Sequence, residues 1–484
     1  MLFNSIEYIF FFLPITFYIY FFLLSKRLIV GAKSFLVFAS LFFYSWWNVK
    51  YLPIILTSML LNYVIGGILS KRHKLKVDKK VVLIFGIIIN LALLGYFKYA
   101  DFFIENYNLI AGNNINLLHL ALPLAISFFT FQQIAYLVDS YRGETGEYDF
   151  LNYALFVTFF PQLIAGPIVH HKEMMPQFAN KWNLVKKYKN IAKGIFIFSI
   201  GLFKKVVIAD SFAIWATNGF DKAEYLNMIE AWATSLSYTF QLYFDFSGYT
   251  DMAIGAALLF NIKLPINFNS PYKAVSIQDF WRRWHITLSH FLRDYIYIPL
   301  GGNRKGEFRT YTNLMITFLL GGLWHGAGWT FVFWGFLHGI ALVVHRAWQK
   351  LKIKLPKILA WFITFNFINI SWVFFRAKEW DDAIKVLKGM FGGDLVVSKS
   401  FLSGIEFLKY SDVWLGNIFA DKYLMWELLG AFVVVLAFKN SMEFLNNFKT
   451  NIKNLIISVF LFVVAMYFIL YLQNRVSEFL YFDF

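Results

Sequence analysis

Apolar segments of bilayer length follow one another from one end of this chain to the other, and they leave little choice of environment. A membrane-crossing helix needs about 20 mainly apolar residues, in a range of roughly 17–25. Tyr8–Leu24, Leu28–Trp47, Tyr51–Ser70, Val81–Tyr99, Leu117–Val138, Ile191–Ala216, Ala231–Phe260, Leu314–Val344, Ile358–Phe375, Leu424–Phe438 and Leu455–Leu472 fit that description. No break of soluble-domain length separates them. Only 15% of the 484 residues are charged and 59% are hydrophobic, whereas a soluble domain carries roughly a quarter charged residues. In lipid, every backbone N–H and C=O must be bonded inside the protein. The expected fold class is therefore all-α: a polytopic integral membrane protein of about 11 transmembrane helices. The run Leu155–Val169 contains Pro161, Gly166 and Pro167 and is expected to be broken or re-entrant. Met1–Leu24 has no basic leader region and no small-residue cleavage site, so it reads as a first span that is kept.

The net charge is +16. In a soluble protein this would suggest nucleic acid, but here the basic residues sit in short loops between apolar spans. The loop Lys71–Lys80 carries six Lys or Arg residues, and Gln349–Lys357 carries Lys350, Lys352, Lys354 and Lys357. Basic loops stay on the cytoplasmic side. Counting from them places both termini and the segment Arg376–Asp421 outside. The partners expected of the basic residues are membrane lipids and not nucleic acid. Trp380–Phe391 has helical spacing with one apolar side, as an interfacial helix does. No internal repeat is visible, nor are paired broken spans of the kind transporters built from inverted repeats show. There is no cysteine, which removes disulfides, thiolate zinc sites and cysteine nucleophiles.

Chemistry concentrates between Tyr238 and Gly339. Ionisable residues inside apolar runs are costly and are functional candidates by default. In YTFQLYFDFSGYTDM these are Gln241, Asp245, Ser247 and Asp251; the alternative role is interhelical hydrogen bonding. SIQDFWRRWH reads as a helix start with Ser276 as N-cap and Asp279 three residues on. Continued as a helix, it would put Arg282 and Ser289 on the face of His285, with His290 pointing elsewhere. His325 lies in GGLWHGAGW among four glycines that permit close backbone approach. His338 would fall on roughly the opposite face of a continuous helix. A histidine in such a setting either bonds structurally or acts on a proton. A buried neutral imidazole can take a proton from a hydroxyl as it attacks a carbonyl, a layout for acyl transfer that needs no metal.

WRRWHITLSHFLRDYIYIPLGGNRKG and NLMITFLLGGLWHGAGWTFVFWGFLHG, with SFFTFQQIAYLVDSYRG, FFPQLIAGPI and YFDFSGYTDMAIG upstream, resemble the membrane-bound O-acyltransferase (MBOAT) family. The match is to its bacterial branch, which acts on alginate, peptidoglycan and teichoic acid. The resemblance implies one transmembrane domain over residues 1–484, with a catalytic core at about 120–348, C-terminal helices and tail at 358–484, and re-entrant segments around a central tunnel. It implies that His325 is the catalytic histidine and His285 a second functional histidine on the donor side. Arg282, Arg283, Trp324, Asp245 and Ser247 become candidate substrate-binding residues. The tail FLYFDF resembles the family's aromatic C-terminal motif, and its tyrosine corresponds to Tyr481, a candidate acyl carrier. A phenol with pKa near 10 would need a base such as His325 to act.

The implied function is transfer of an acetyl group from acetyl-CoA across a bacterial cytoplasmic membrane for O-acetylation of an envelope polysaccharide. An extracytoplasmic acetyltransferase partner would complete the transfer, and no metal cofactor is expected. D-alanyl transfer to teichoic acid, or transport of a lipid-linked sugar with the histidines and aspartates as a proton relay, remain as alternative readings.

Overall fold

The computed structural model describes residues 1–70, 78–145, 149–164, 166–397, 409–410, 415–421, 423–472 and 478–480. Helices account for most of them, and their ends fall where caps and breakers stand in the sequence. α1 (Glu7–Ser25), α2 (Ile29–Ser45), α3 (Val49–Leu69) and α4 (Lys79–Ala111) come first. Pro53 opens the regular part of α3, where its missing N–H costs no hydrogen bond. Asp78 caps α4 by accepting the Lys80 N–H. α5 (Ile126–Arg142) ends on left-handed Gly143. α6 (Phe150–Thr158) and α7 (Phe160–Leu163) are the broken pair expected around Pro161. His170 caps α8 (His171–Ala179), and Glu173 closes the capping box. α9 (Tyr188–Phe203) runs through a wide turn at Lys204–Ala209 into α10 (Asp210–Thr217). The 32-residue α11 (Met228–Leu259) is followed by the short α12 (Ile277–Trp281) and α13 (Ile286–Leu292). The remaining helices are α14 (Glu307–His325), α15 (Trp329–Lys350), α16 (Lys357–Arg376), α17 (Trp380–Gly392), α18 (Tyr423–Ala437), α19 (Ser441–Asn446) and α20 (Ile452–Leu472). The one strand pairing among the described residues is a two-residue parallel ladder, Val396–Val397 with Lys409–Tyr410.

Six helices (α1, α3, α4, α15, α16 and α20) are long and apolar enough to cross a membrane, and α2 and α18 are shorter apolar helices. The chain is a multi-pass membrane protein. Three sequence expectations need correction. The presumed span Leu314–Val344 is two helices, α14 and α15, because the chain leaves helical geometry at Gly326 and Gly328, both extended. The ion pair between Lys350 and Glu307 ties the far ends of this hairpin together, so the chain returns to the side from which it came. The presumed span Leu117–Val138 becomes helical only at Ile126, after Pro123 and left-handed Ala125. The span Val81–Tyr99 continues unbroken to Ala111.

The chain divides into two compact units: Met1–Leu202 with Tyr249–Ile266 and Asn447–Phe484, and Phe203–Gly248 with Asn267–Asn446. Lipid tails are as apolar as leucine, so polar ties and close packing must specify the helix contacts. In the first unit, Asn62 on α3 and Asn90 on α4 exchange amide hydrogen bonds of 3.1 and 2.7 Å. In the second, α14 crosses α15 at Gly322 and Gly335. A Cβ at Gly335 would collide with the Phe318 carbonyl, and one at Gly322 with that of Phe331. The tryptophans Trp284, Trp334 and Trp372 fill the core beside this crossing.

Candidate active site

The site lies in the second unit and is built on a break in the chain. Ser276 caps α12 by accepting the Asp279 N–H at 3.1 Å, as the sequence predicts. The helix does not continue through His285. The Ile286 N–H is taken by the Asn267 carbonyl at 3.0 Å, so the next helical bond is not made. His285 adopts left-handed φ 41°, a conformation that costs a non-glycine residue about 1 kcal/mol. Asn267 also clamps the next residue: its Oδ1 accepts the Thr287 hydroxyl at 2.6 Å and the Thr287 N–H at 3.3 Å. The expectation that Arg282 and Ser289 share a helical face with His285 is thereby overturned. His290 is exposed.

The kink carries the His285 ring into a fully buried position. Phe246 meets it edge-on with ring centroids 4.8 Å apart, and Trp324 lies at 6.4 Å. His285 sits in a segment too short to span the bilayer. Burial pushes its imidazole down to about 3, so it is neutral at physiological pH. His325 is the last residue of α14, and Gly326 ends the helix beneath it. Its ring is 4.8 Å from Trp324, 5.1 Å from Trp334 and 5.0 Å from Phe375. Trp324 therefore contacts both histidines, and the three rings form one buried aromatic cluster.

His338 faces this cluster but is committed elsewhere. Its Nδ1 accepts the Trp281 indole N–H at 3.1 Å, which leaves the proton on Nε2, 3.1 Å from the Ser371 hydroxyl. Ser371 in turn donates to the Ile368 carbonyl at 2.8 Å. Both nitrogens are used in a closed chain, so His338 is structural. The expectation that it lies on an opposite helical face fails, because the chain reverses between His325 and His338.

Asp245 and Ser247 are buried on α11. Asp245 is paired with Lys205 at 2.6 Å, and the same ammonium holds Asp210 at 2.8 Å. Sequence reasoning missed Lys205 and Asp210, although a lysine inside the apolar run Ile191–Ala216 was a visible signal. It also missed Asn267, which carries no motif-level signal. Arg282 is exposed. Arg283 is bound to Asp279 at 2.8 Å and to the Asn269 carbonyl at 3.2 Å. Gly301 and Gly302 donate their N–H groups to the Ile298 and Tyr297 carbonyls, which closes the turn ahead of α14. Tyr481 lies outside the described residues. In the first unit, Phe479 is fully buried with its ring centroid 4.4 Å from that of Tyr249.

One group of three metal-type donors occurs among the described residues: Asp139, His170 and His171 in the first unit. Asp139 Oδ2 is 2.5 Å from His170 Nε2 and 3.1 Å from His171 Nε2. His170 Nδ1 accepts the Lys172 N–H, and its Nε2 faces the Asp139 carboxylate. Arg142 adds a guanidinium 3.7 Å from the same carboxylate. The group reads as a hydrogen-bonded clamp between α5 and the start of α8.

Comparison with known proteins matches residues 9–377 to the membrane-bound O-acyltransferase family. A peptidoglycan O-acetyltransferase of Helicobacter pylori is 59% identical over 424 residues, covering 81% of this chain and 80% of the relative. A probable alginate O-acetylase AlgI of Pseudomonas aeruginosa is 42% identical over 397 residues, covering 81% and 75%. A teichoic acid D-alanyltransferase of Streptococcus thermophilus is 28% identical over 281 residues, covering 52% and 68%.

Proposed function

Because this chain belongs to the membrane-bound O-acyltransferase family and is an acyltransferase, we propose that it moves an acetyl group from cytoplasmic acetyl-CoA across the cytoplasmic membrane for O-acetylation of a cell-envelope polysaccharide. Peptidoglycan is the favoured acceptor class, supported by the 59% identical relative named for that activity. The single observation that carries the mechanism is the buried pair His285 and His325 joined through Trp324.

In this reading His325 takes the proton of the attacking hydroxyl. The oxygen bonds to the thioester carbonyl carbon, the C–S bond breaks, and the departing sulfur receives the proton from the imidazolium. The products are an O-ester and the free thiol. His285, neutral and held by the Asn267 clamp, supports the donor side as a hydrogen-bonding group. The surrounding rings exclude water, which would otherwise hydrolyse the thioester. Tyr481 is the proposed first acceptor, and an extracytoplasmic partner transfers the group on to the sugar. The α14–α15 hairpin supports the proposed orientation, since it brings Arg304, Lys305 and Lys350 to one side and basic residues favour the cytoplasm. The chain has no native cysteine, so single introduced cysteines at Lys305 and Lys354 can report sidedness with an impermeant thiol reagent.

The central experiment incubates purified protein with acetyl-labelled acetyl-CoA and follows thiol release and covalent label. His325→Ala is expected to abolish turnover, and His285→Ala to lower it. Full turnover by His325→Ala overturns the assignment. Label that persists unchanged in Tyr481→Phe removes the relay.

A further inference from the structure

A groove in the first unit lies between α9 and α20 and encloses about 640 Å³, within the range of small-molecule sites. Ala192, Ile195 and Phe196 form one wall, and Leu455, Val459 and Phe462 the other. Ser199 and Ser458, their hydroxyls 3.5 Å apart, form a buried floor. Phe196 meets Phe448 just ahead of α20 at 5.1 Å between centroids, while Ser199 meets Ser458. The two helices therefore run side by side in the same direction, with both N-termini at one end.

That end is chemically distinct. Its rim is polar, formed by Thr450, Asn451 and Asn454. Lys189 and Lys193 belong to the first turns of α9, Lys186 and Lys187 precede it, and Lys449 and Lys453 flank the start of α20. No acidic residue occurs between positions 180 and 203 or between 444 and 472. From Ile452 to Phe462 the groove runs about 15 Å along the helix axis, which is half of a hydrocarbon core about 30 Å thick. An apolar trough one leaflet deep, with lysines on the chain segments that begin both helices at its polar end, suits one kind of occupant.

We propose that this groove binds a single anionic phospholipid, with an acyl chain between α9 and α20 and its phosphate among Lys189, Lys193, Lys449 and Lys453. The serine floor sets the depth of the chain, and the lysines set the preference for a negative headgroup. A lysine near an anionic headgroup strengthens binding about fivefold.

The test uses the full-length protein, delipidated in mild detergent. A photoactivatable phosphatidylglycerol is cross-linked, and the adducts are mapped by peptide mass spectrometry. Adducts are expected on residues 192–199 and 448–462, displaced by unlabelled phosphatidylglycerol at a concentration many-fold below that needed for phosphatidylcholine. Lys189→Gln, Lys449→Gln and Lys453→Gln are expected to erode that preference about fivefold each. Equal competition by the two lipids in the wild-type protein overturns the proposal. So do adducts spread evenly over all apolar helices, or cross-links that show a second copy of the chain in the groove.

Discussion

Asn267→Ala tests whether the position of His285 is held from outside its own helix. The substitution removes two hydrogen bonds to Thr287, at 2.6 and 3.3 Å, each worth about 1 kcal/mol. It leaves a buried hydroxyl and N–H to be satisfied elsewhere, while the backbone carbonyl at position 267 still holds the Ile286 N–H. The net loss is about 2 kcal/mol. If that energy is what orients His285, turnover falls about 30-fold. Thr287→Val removes only the shorter bond and should cost about half as much. The double variant should lose less than the sum of the singles, since both changes break one contact. The assays are thiol release from acetyl-CoA and thermal unfolding in detergent. Full turnover in Asn267→Ala alongside a lowered melting temperature would refute the link between this clamp and the site.

Three further outcomes are expected. His338→Leu strands the Trp281 N–H and should lower stability by about 1–3 kcal/mol while retaining turnover, whereas loss of turnover with an intact fold would make His338 catalytic. Lys205→Met leaves Asp210 and Asp245 without the ammonium between them and should cost about 3–5 kcal/mol; adding Asp245→Asn should recover part of it, and no recovery in a melting assay would mean the pair is not what Lys205 provides. His285 stays neutral in the fold because burial holds it at about 3, while an unfolded imidazole titrates near 6.5. The unfolded state then binds the extra proton below that pH, and stability should fall by about 2 kcal/mol between pH 7.5 and 5. His285→Asn should flatten that slope, and equal acid slopes in the two proteins would contradict the burial argument.

Some of this was written locally along the chain. Hydropathy over twenty residues fixed the membrane class, because a spanning helix must be long and apolar whatever it packs against. The Ser276 cap, the break around Pro161 and the amphipathic Trp380–Phe391 helix followed from single turns of backbone chemistry. The motifs around His285 and His325 named residues whose rings the folded chain brings together at Trp324.

Tertiary structure decided how those residues meet. Helical spacing placed His285 on a face with Arg282, but a carbonyl and an amide from Asn267 take the chain out of the helix there. Apolar length joined Leu314 to Val344, yet extended glycines turn the segment into a hairpin whose crossing at Gly322 and Gly335 sets Trp334 against His325. Asp245 looked available until Lys205, far along the chain, paired with it. Periodicity and composition carry information only over a few turns. Which polar groups end up neutralised, and which histidine is spent on structural hydrogen bonds, depends on partners that only the folded chain brings within a few ångströms.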